Sequence, residues 1–291
     1  VNMDRDMMGY GPERPNFQWP NKNKVAINFV INYEEGAENS PINGDDYCES
    51  YGGELPMPAR EKHQRNLSME SLFEYGSRVG IWRLLRLFDR HQLPVTFFAT
   101  GKALSLNPAL CQYLKNHQHD IAGHGWRWID YQNIDKKTEK THITQCKQTI
   151  AALTGKCVEG WYTGRRSENT RALLQEVGGF QYDSDAYADE LPYFIGEQLI
   201  IPYTLVYNDF RFLTTPGFAS SKDFQQTLTS AVDYLLKEDK MSLLTIGLHP
   251  RITGYAHRCQ ALAQFVKRVV KQDVWIARRI DIASYWLSQA T

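Results

Sequence analysis

Two adjacent carboxylates, Glu34-Glu35, close a nine-residue apolar run, and two histidines, His124 and His249, follow shorter runs of the same kind. Side chains of these types can hydrolyse a carbon–nitrogen bond. A carboxylate takes a proton from water, a positioned donor meets the oxyanion, and a histidine protonates the leaving nitrogen. Neighbouring carboxylates also push each other's protonation apart, which can hold one as a base near neutral pH. Other polar groups recur at comparable places: Trp126-Arg-Trp128, Tyr162-Thr-Gly-Arg165, Asp183-Ser-Asp185 and Arg251. Singly, each has a plain structural explanation, as a solvated Glu-Glu loop, a hydrogen-bonded histidine or a core aromatic. Their coincidence at the ends of successive strands is what points to function. The other six histidines (His63, His91, His117, His119, His142 and His257) sit mostly in polar stretches and read as surface residues.

The elements that must hold these residues alternate. Val25–Tyr33 is a β-branched and aromatic run suited to a strand covered on both faces. Strands are predicted over Pro94–Thr100, Asp120–Ala122, Cys157–Tyr162, Phe180–Asp183, Leu199–Leu205, Leu243–Leu248 and Val274–Ala277, with Arg278-Arg279 as a charged strand end. Helices are predicted from a Ser68 N-cap, through an apolar stripe up to Arg90, from Asn107-Pro108, over Asp135–Leu153, from Glu168, over Lys222–Leu236 and Ala256–Val270, and last to about Trp286. This alternation predicts an α/β fold, a closed or nearly closed parallel barrel whose active site lies at the carboxyl ends of its strands. No linker or repeat divides residues 1–291, so one domain is expected. Its long polar, Gly/Pro-rich insertion at about 36–66 could cap this chain's pocket or a neighbour's.

Composition narrows the class. The 291 residues carry 33 Lys+Arg against 33 Asp+Glu, and 42% are apolar. A neutral chain with scattered charges offers no field to gather nucleic acid or anionic lipid, so neither partner is expected. No apolar run approaches a membrane span, and the N-terminal residues resemble no export signal. Five cysteines, odd in number and without metal-site spacing, suit free thiols in a reducing compartment. A cytoplasmic location is the expectation.

Taken together, the chain resembles the polysaccharide deacetylase (NodB-type) superfamily, and within it the cofactor-independent allantoinases. The resemblance runs from about Met8 to Trp286. It rests on Asn32-Tyr-Glu-Glu-Gly36, Ser68-Met-Glu-Ser71 with Glu74-Tyr-Gly-Ser-Arg78, His124-Gly-Trp-Arg-Trp-Ile-Asp130, Gly160-Trp-Tyr-Thr-Gly-Arg165, Ile201-Pro-Tyr-Thr204 and Ile246-Gly-Leu-His249. It implies a deformed TIM-like barrel of about seven strands. The deacetylases carry a Thr-Phe-Asp-Asp motif, giving a base and a metal ligand, and a His-x-x-x-His motif giving two more ligands. Here those positions read Tyr33-Glu34-Glu35 and His124-Gly-Trp-Arg-Trp128, and an indole nitrogen has no lone pair for a metal. Glu35 and His124 alone fall short of the usual ligand number.

The resemblance therefore implies a site without metal or other cofactor. Glu34 takes the position of the family's base, with Glu35 as partner or substitute, and His249 that of its acid. His124 would orient substrate or donate to the oxyanion. Trp128, Tyr162, Arg165, Asp185 (with Asp183 as the alternative), Glu74 and Arg78 are the substrate-binding candidates. An exposed i,i+4 ion pair is the plain alternative for the last two. The implied activity is hydrolysis of a small cyclic ureide, allantoin to allantoate, by a homo-oligomer, a tetramer by resemblance. A metal-dependent deacetylase of N-acetylated sugars and a non-catalytic binding barrel are the competing readings.

Overall fold

A computed structural model describes residues 5–15, 17–54, 58, 60–238 and 240–290. Residues 1–4 of the polar N-terminus, and 55–57 and 59 of the long insertion, lie outside them. Strand β1 (Val25–Tyr33) is buried along its whole length, as its unalternating sequence requires. One edge pairs in parallel with β8 (Ser242–Leu248), from Val25↔Ser242 to Ile31↔Leu248. Its other edge is shared. β9 (Val274–Ile276) takes Val25–Ile27, and β2 (Thr96–Ala99) takes Val30–Tyr33. The sheet continues in parallel through β3 (Asp120–Gly123), β4 (Gly160–Trp161), β5 (Tyr182–Asp183) and β7 (Gln198–Ile200), and ends on β6 (Tyr193–Ile195), antiparallel to β7.

The sheet curls into a deformed barrel that stays open between its β6–β7 end and β8, where an isolated parallel bridge, Asn208↔Gly247, joins the sides. The opening fits the nearly closed barrel expected from the sequence; what differs is the antiparallel β6, which was not expected, and the strand expected over Leu199–Leu205, which is the shorter Gln198–Ile200. Arg279 occupies the interior near the opening. It is fully buried, not a charged strand end, and donates to Asn28 Oδ1 (3.1 Å), Thr245 Oγ1 (3.0 Å), Ser184 Oγ (3.0 Å) and the carbonyls of Ile201 and Pro202 (2.6 and 2.5 Å). Burial lowers its pKa to about 10, which leaves it protonated at neutral pH. One guanidinium thus ties β1 and β8 to the chain leaving β7, where strand pairing is missing.

Helices cover the outside. They include α1 (Leu67–Tyr75), α2 (Ile81–Arg90), α3 (Gly101–Ser105), α4 (Pro108–Asn116), α5 (Lys136–Thr154), α6 (Thr170–Val177), α7 (Ser221–Glu238), α8 (Pro250–Thr253), α9 (Ala256–Val269) and α10 (Arg279–Ala290). The cap of α1 is Asn66, accepting from Met69 N at 3.1 Å, in place of the expected Ser68. A π-helical turn, Gly76–Gly80, joins α1 to α2. His119, expected at the surface, is buried between Tyr113 Oη (3.1 Å) and Val95 N (3.3 Å), and burial lowers its pKa to about 4. No helix among the described residues is long and apolar enough to cross a membrane.

Strand alternation decides which side chains reach the interior. In β1, Val25, Ile27, Phe29, Ile31 and Tyr33 join the layer under the helices, whereas Ala26 and Val30 join the interior cluster. Asn28 and Asn32 share the interior side, bonding Ala277 O (2.8 Å) and Tyr203 Oη (2.9 Å). Continuing the alternation carries Glu34 inward and Glu35 toward the helices. The same count carries His124 inward after Ala122 and His249 after Leu243 and Thr245.

Candidate active site

Glu34, brought inward at the end of β1, is the centre of a buried charged cluster. Its Oε1 accepts from His124 Nε2 at 3.0 Å and lies 3.5 Å from His249 Nε2, and its Oε2 accepts from Arg251 Nη2 at 2.7 Å. Burial alone would raise the pKa of this carboxyl. The charges of Arg251 and His249 and the bond from His124 overcome it and hold Glu34 well below the usual carboxylate range. Glu34 is therefore ionised.

His249 has its other nitrogen on Asp209, with Nδ1 donating to Oδ1 at 2.6 Å. Asp209 is fully buried and fixed by His249 N (2.7 Å) and Thr253 Oγ1 (2.6 Å). Desolvation lowers the His249 pKa, but Asp209 and Glu34 outweigh it, and the net shift is upward. The imidazole is thus oriented and biased toward its protonated form, as a general acid requires. His124 is oriented from behind by the carbonyl of Tyr162, and the Tyr162 ring stacks on it at 5.2 Å.

Glu35 points the other way. Its Oε2 accepts from Glu34 N at 3.0 Å, and its Oε1 faces Arg251 Nη1 at 3.6 Å, where neither atom has a hydrogen-bond partner. Burial is the largest influence on Glu35; with Glu34 it outweighs Arg251 and raises the pKa to about 7. Gly76 and Gly80 of the π-helical turn allow this approach. A Cβ on Gly76 would stand 2.4 Å from Glu35 Oε1, and one on Gly80 would overlap the carbonyl of Pro250.

The other expected residues divide. Trp128 walls the cluster, with the guanidinium of Arg251 5.0 Å and that of Arg165 4.0 Å from its ring. Asp185 spends both oxygens on the backbone of the Tyr162–Arg165 turn, at Thr163 N and Gly164 N (2.7 Å each). Asp183 holds Arg171 at 2.8 Å. Neither aspartate is the partner of His249. Glu74 and Arg78 are not brought to the cluster; they form an exposed i,i+4 pair 3.9 Å apart. Two members lacked an assigned role in the sequence. Arg251 stands two residues after His249, where its place at a strand end was a visible signal. Asp209 lies in a short 3₁₀ turn, Asp209–Leu213, with no strand before it and no spacing that marks it.

The donor set does not suit a divalent metal. The buried Arg251 guanidinium already lies between the two glutamates, Trp128 offers no lone pair, and His124 spends both nitrogens on Glu34 and Tyr162. Among the described residues no group of three or more His, Cys, Asp or Glu is arranged to hold one.

The polysaccharide deacetylase family model matches residues 62–182. A Schizosaccharomyces pombe protein, provisionally named a polysaccharide deacetylase, is 38% identical over 295 residues, 92% of each chain. The chain belongs to the polysaccharide deacetylase family. Among solved structures, one described as Puue allantoinase is 41% identical, with a TM-score of 0.95 over 99% of this chain and 98% of that one. A Pseudomonas aeruginosa PAO1 protein, provisionally described as a polysaccharide deacetylase, is 43% identical, with a TM-score of 0.94 over 97% of each. This family member is accordingly a hydrolase of carbon–nitrogen bonds.

Proposed function

We propose that the protein opens the ring of a small cyclic ureide, converting allantoin to allantoate without a metal. The observation that carries this reading is the Glu34–His249–Asp209 array, with the Arg251 cation beside it. The likeness to the allantoinase structure supplies the substrate.

In this reading Glu34 removes a proton from water as its oxygen attacks the ring carbonyl. A carboxylate held this low is a weak base, so substrate must first take one of its partners. Arg251 is that partner. As its guanidinium turns from Glu34 to the carbonyl oxygen, Glu34 loses a countercharge and gains basicity, and the developing oxyanion gains one. His249 then passes its proton to the leaving ring nitrogen, and Asp209 keeps the imidazole in register. Trp128 and Tyr162 flank the planar ring.

The test is turnover of purified protein on allantoin and on an N-acetylated chito-oligosaccharide. Allantoate formation without acetate release is the expected result. Acetate release from the oligosaccharide would favour the deacetylase activity named for the family's other members, and no product from either would contradict the proposal.

A further inference from the structure

Every group assigned to the chemistry is buried: Glu34 is 1% exposed, His124 2%, His249 3% and Arg251 3%. So little exposure leaves no room for a substrate-sized molecule to contact all of them in this arrangement. Part of the cover comes from the chain's own insertion. Gly52, at φ +89°, seats its backbone against the site, and a Cβ there would meet Trp128, Arg251 and Phe210 at 3.2–3.3 Å. Its carbonyl accepts from Arg251 Nε at 3.0 Å, so the covering segment holds the same guanidinium that holds Glu34.

Three further arginines hold this segment, each from a different loop or helix of the barrel. Arg127 donates to Asp45 Oδ1 at 2.8 Å, Arg165 lies 3.4 Å from Glu49 Oε2, and Arg258 donates to Glu54 Oε2 at 2.9 Å. Side-chain exposures of 28% and 8% for Arg165–Glu49, and 10% and 32% for Arg258–Glu54, make these pairs partly wetted. Such pairs hold a segment without locking it. Covalent connection and sheet hydrogen bonds, by contrast, fix the barrel beneath.

We propose that Asp45–Glu54 is a gate latched by arginines, and that its closure limits the site to molecules small enough to be wholly enclosed. The proposal rests on the function proposed above only for the identity of the enclosed molecule. Opening withdraws Gly52 O from Arg251 and admits substrate; closing returns that bond and excludes bulk water from Glu34. A polymer passing through the site would keep the gate open and Arg251 unrestrained.

The test is the rate at which diethyl pyrocarbonate acylates His249 at mildly alkaline pH, followed by peptide mass spectrometry, with the exposed His257 as internal reference. In the native protein His249 should react far more slowly than His257. The double variant Glu49→Gln/Glu54→Gln should speed His249 by roughly fivefold, the combined effect of two weakened, partly exposed pairs, with His257 unchanged. Gly52→Ala, which props the segment by a different route, should also speed it. An unchanged His249 rate in a folded variant of either kind would overturn the gate. In the native protein allantoin should slow the reaction, and an N-acetylated chito-oligosaccharide should not. Protection by the oligosaccharide would overturn the size limit. Loss of allantoin protection alone would count against allantoin as the ligand and leave the gate standing.

Discussion

Glu34 and Glu35 are neighbours in sequence with opposite fates, because alternation turns the first into the barrel and the second toward the π-helical turn. The parity could have been counted from Asn28 and Asn32, whose polarity inside an apolar run already marks the inward side. Asp209 could not have been found this way, since its partnership with His249 is made by the fold and not by spacing. The roles follow from the partners. Glu34→Gln removes the proposed water-activating group, and kcat should fall by about 10²- to 10⁴-fold while circular dichroism stays native; a fully active variant would remove Glu34 as base. Glu35 makes the opposite kind of prediction. Its folded pKa of about 7 lies above the unfolded value of 4.5, so between them the native state binds the extra proton. The stability it contributes is complete below the unfolded value and is lost as pH rises toward 7. Relative to the native protein, Glu35→Gln should thus gain stability across that interval, by about 3 kcal/mol at most, and level off above it. Urea unfolding at a series of pH values measures this, and a difference independent of pH would show that Glu35 is not held protonated.

Among the elements, the long and strongly patterned ones were legible and the short ones were not. β1, β8, α5 and α9 lie within a residue or two of their sequence-based bounds, because burial on both faces, or for the helices a recurring apolar stripe, defines them locally. β4 and β5 shrink to two residues each, since their pairing ends where the chain turns toward the site. The β6–β7 hairpin carries a usable signal, Gly196-Glu197 between two apolar runs, with Gly196 at φ +59°. The π-helical turn had no such signal, although its glycines stand four apart in the sequence. Its function is close approach, and Gly76→Ala tests that. With a Cβ 2.4 Å from Glu35 Oε1 and 2.8 Å from Arg251 N, the variant should lose about 1–3 kcal/mol of stability and have lower kcat/KM. Val79→Ala on the outward side of the turn should do neither. Equal behaviour of the two variants in denaturation and turnover would remove the turn from the site's support.

At the scale of the whole molecule, the equal charge totals gave no reason to expect polyanion partners and said nothing of where charge would be buried. The structure buries much of it at one end of the barrel, with Arg251 among Glu34, Glu35 and Glu38. It places Arg279 alone near the open seam, where no strand pattern could announce it. The family's motif order was readable across most of the chain, and with it the barrel. The departure at Trp128 was readable too, but the cation that stands between the two glutamates emerged only from the fold. The proposed mechanism asks that this arginine and the Glu34–His249 pair suffice for hydrolysis. The direct measurement is allantoin turnover against metal content, determined by elemental mass spectrometry before and after exhaustive chelation. Unchanged turnover with far less than one metal ion per chain is the expected result. Activity that falls in proportion to the metal removed, and returns when a divalent ion is added back, would contradict it.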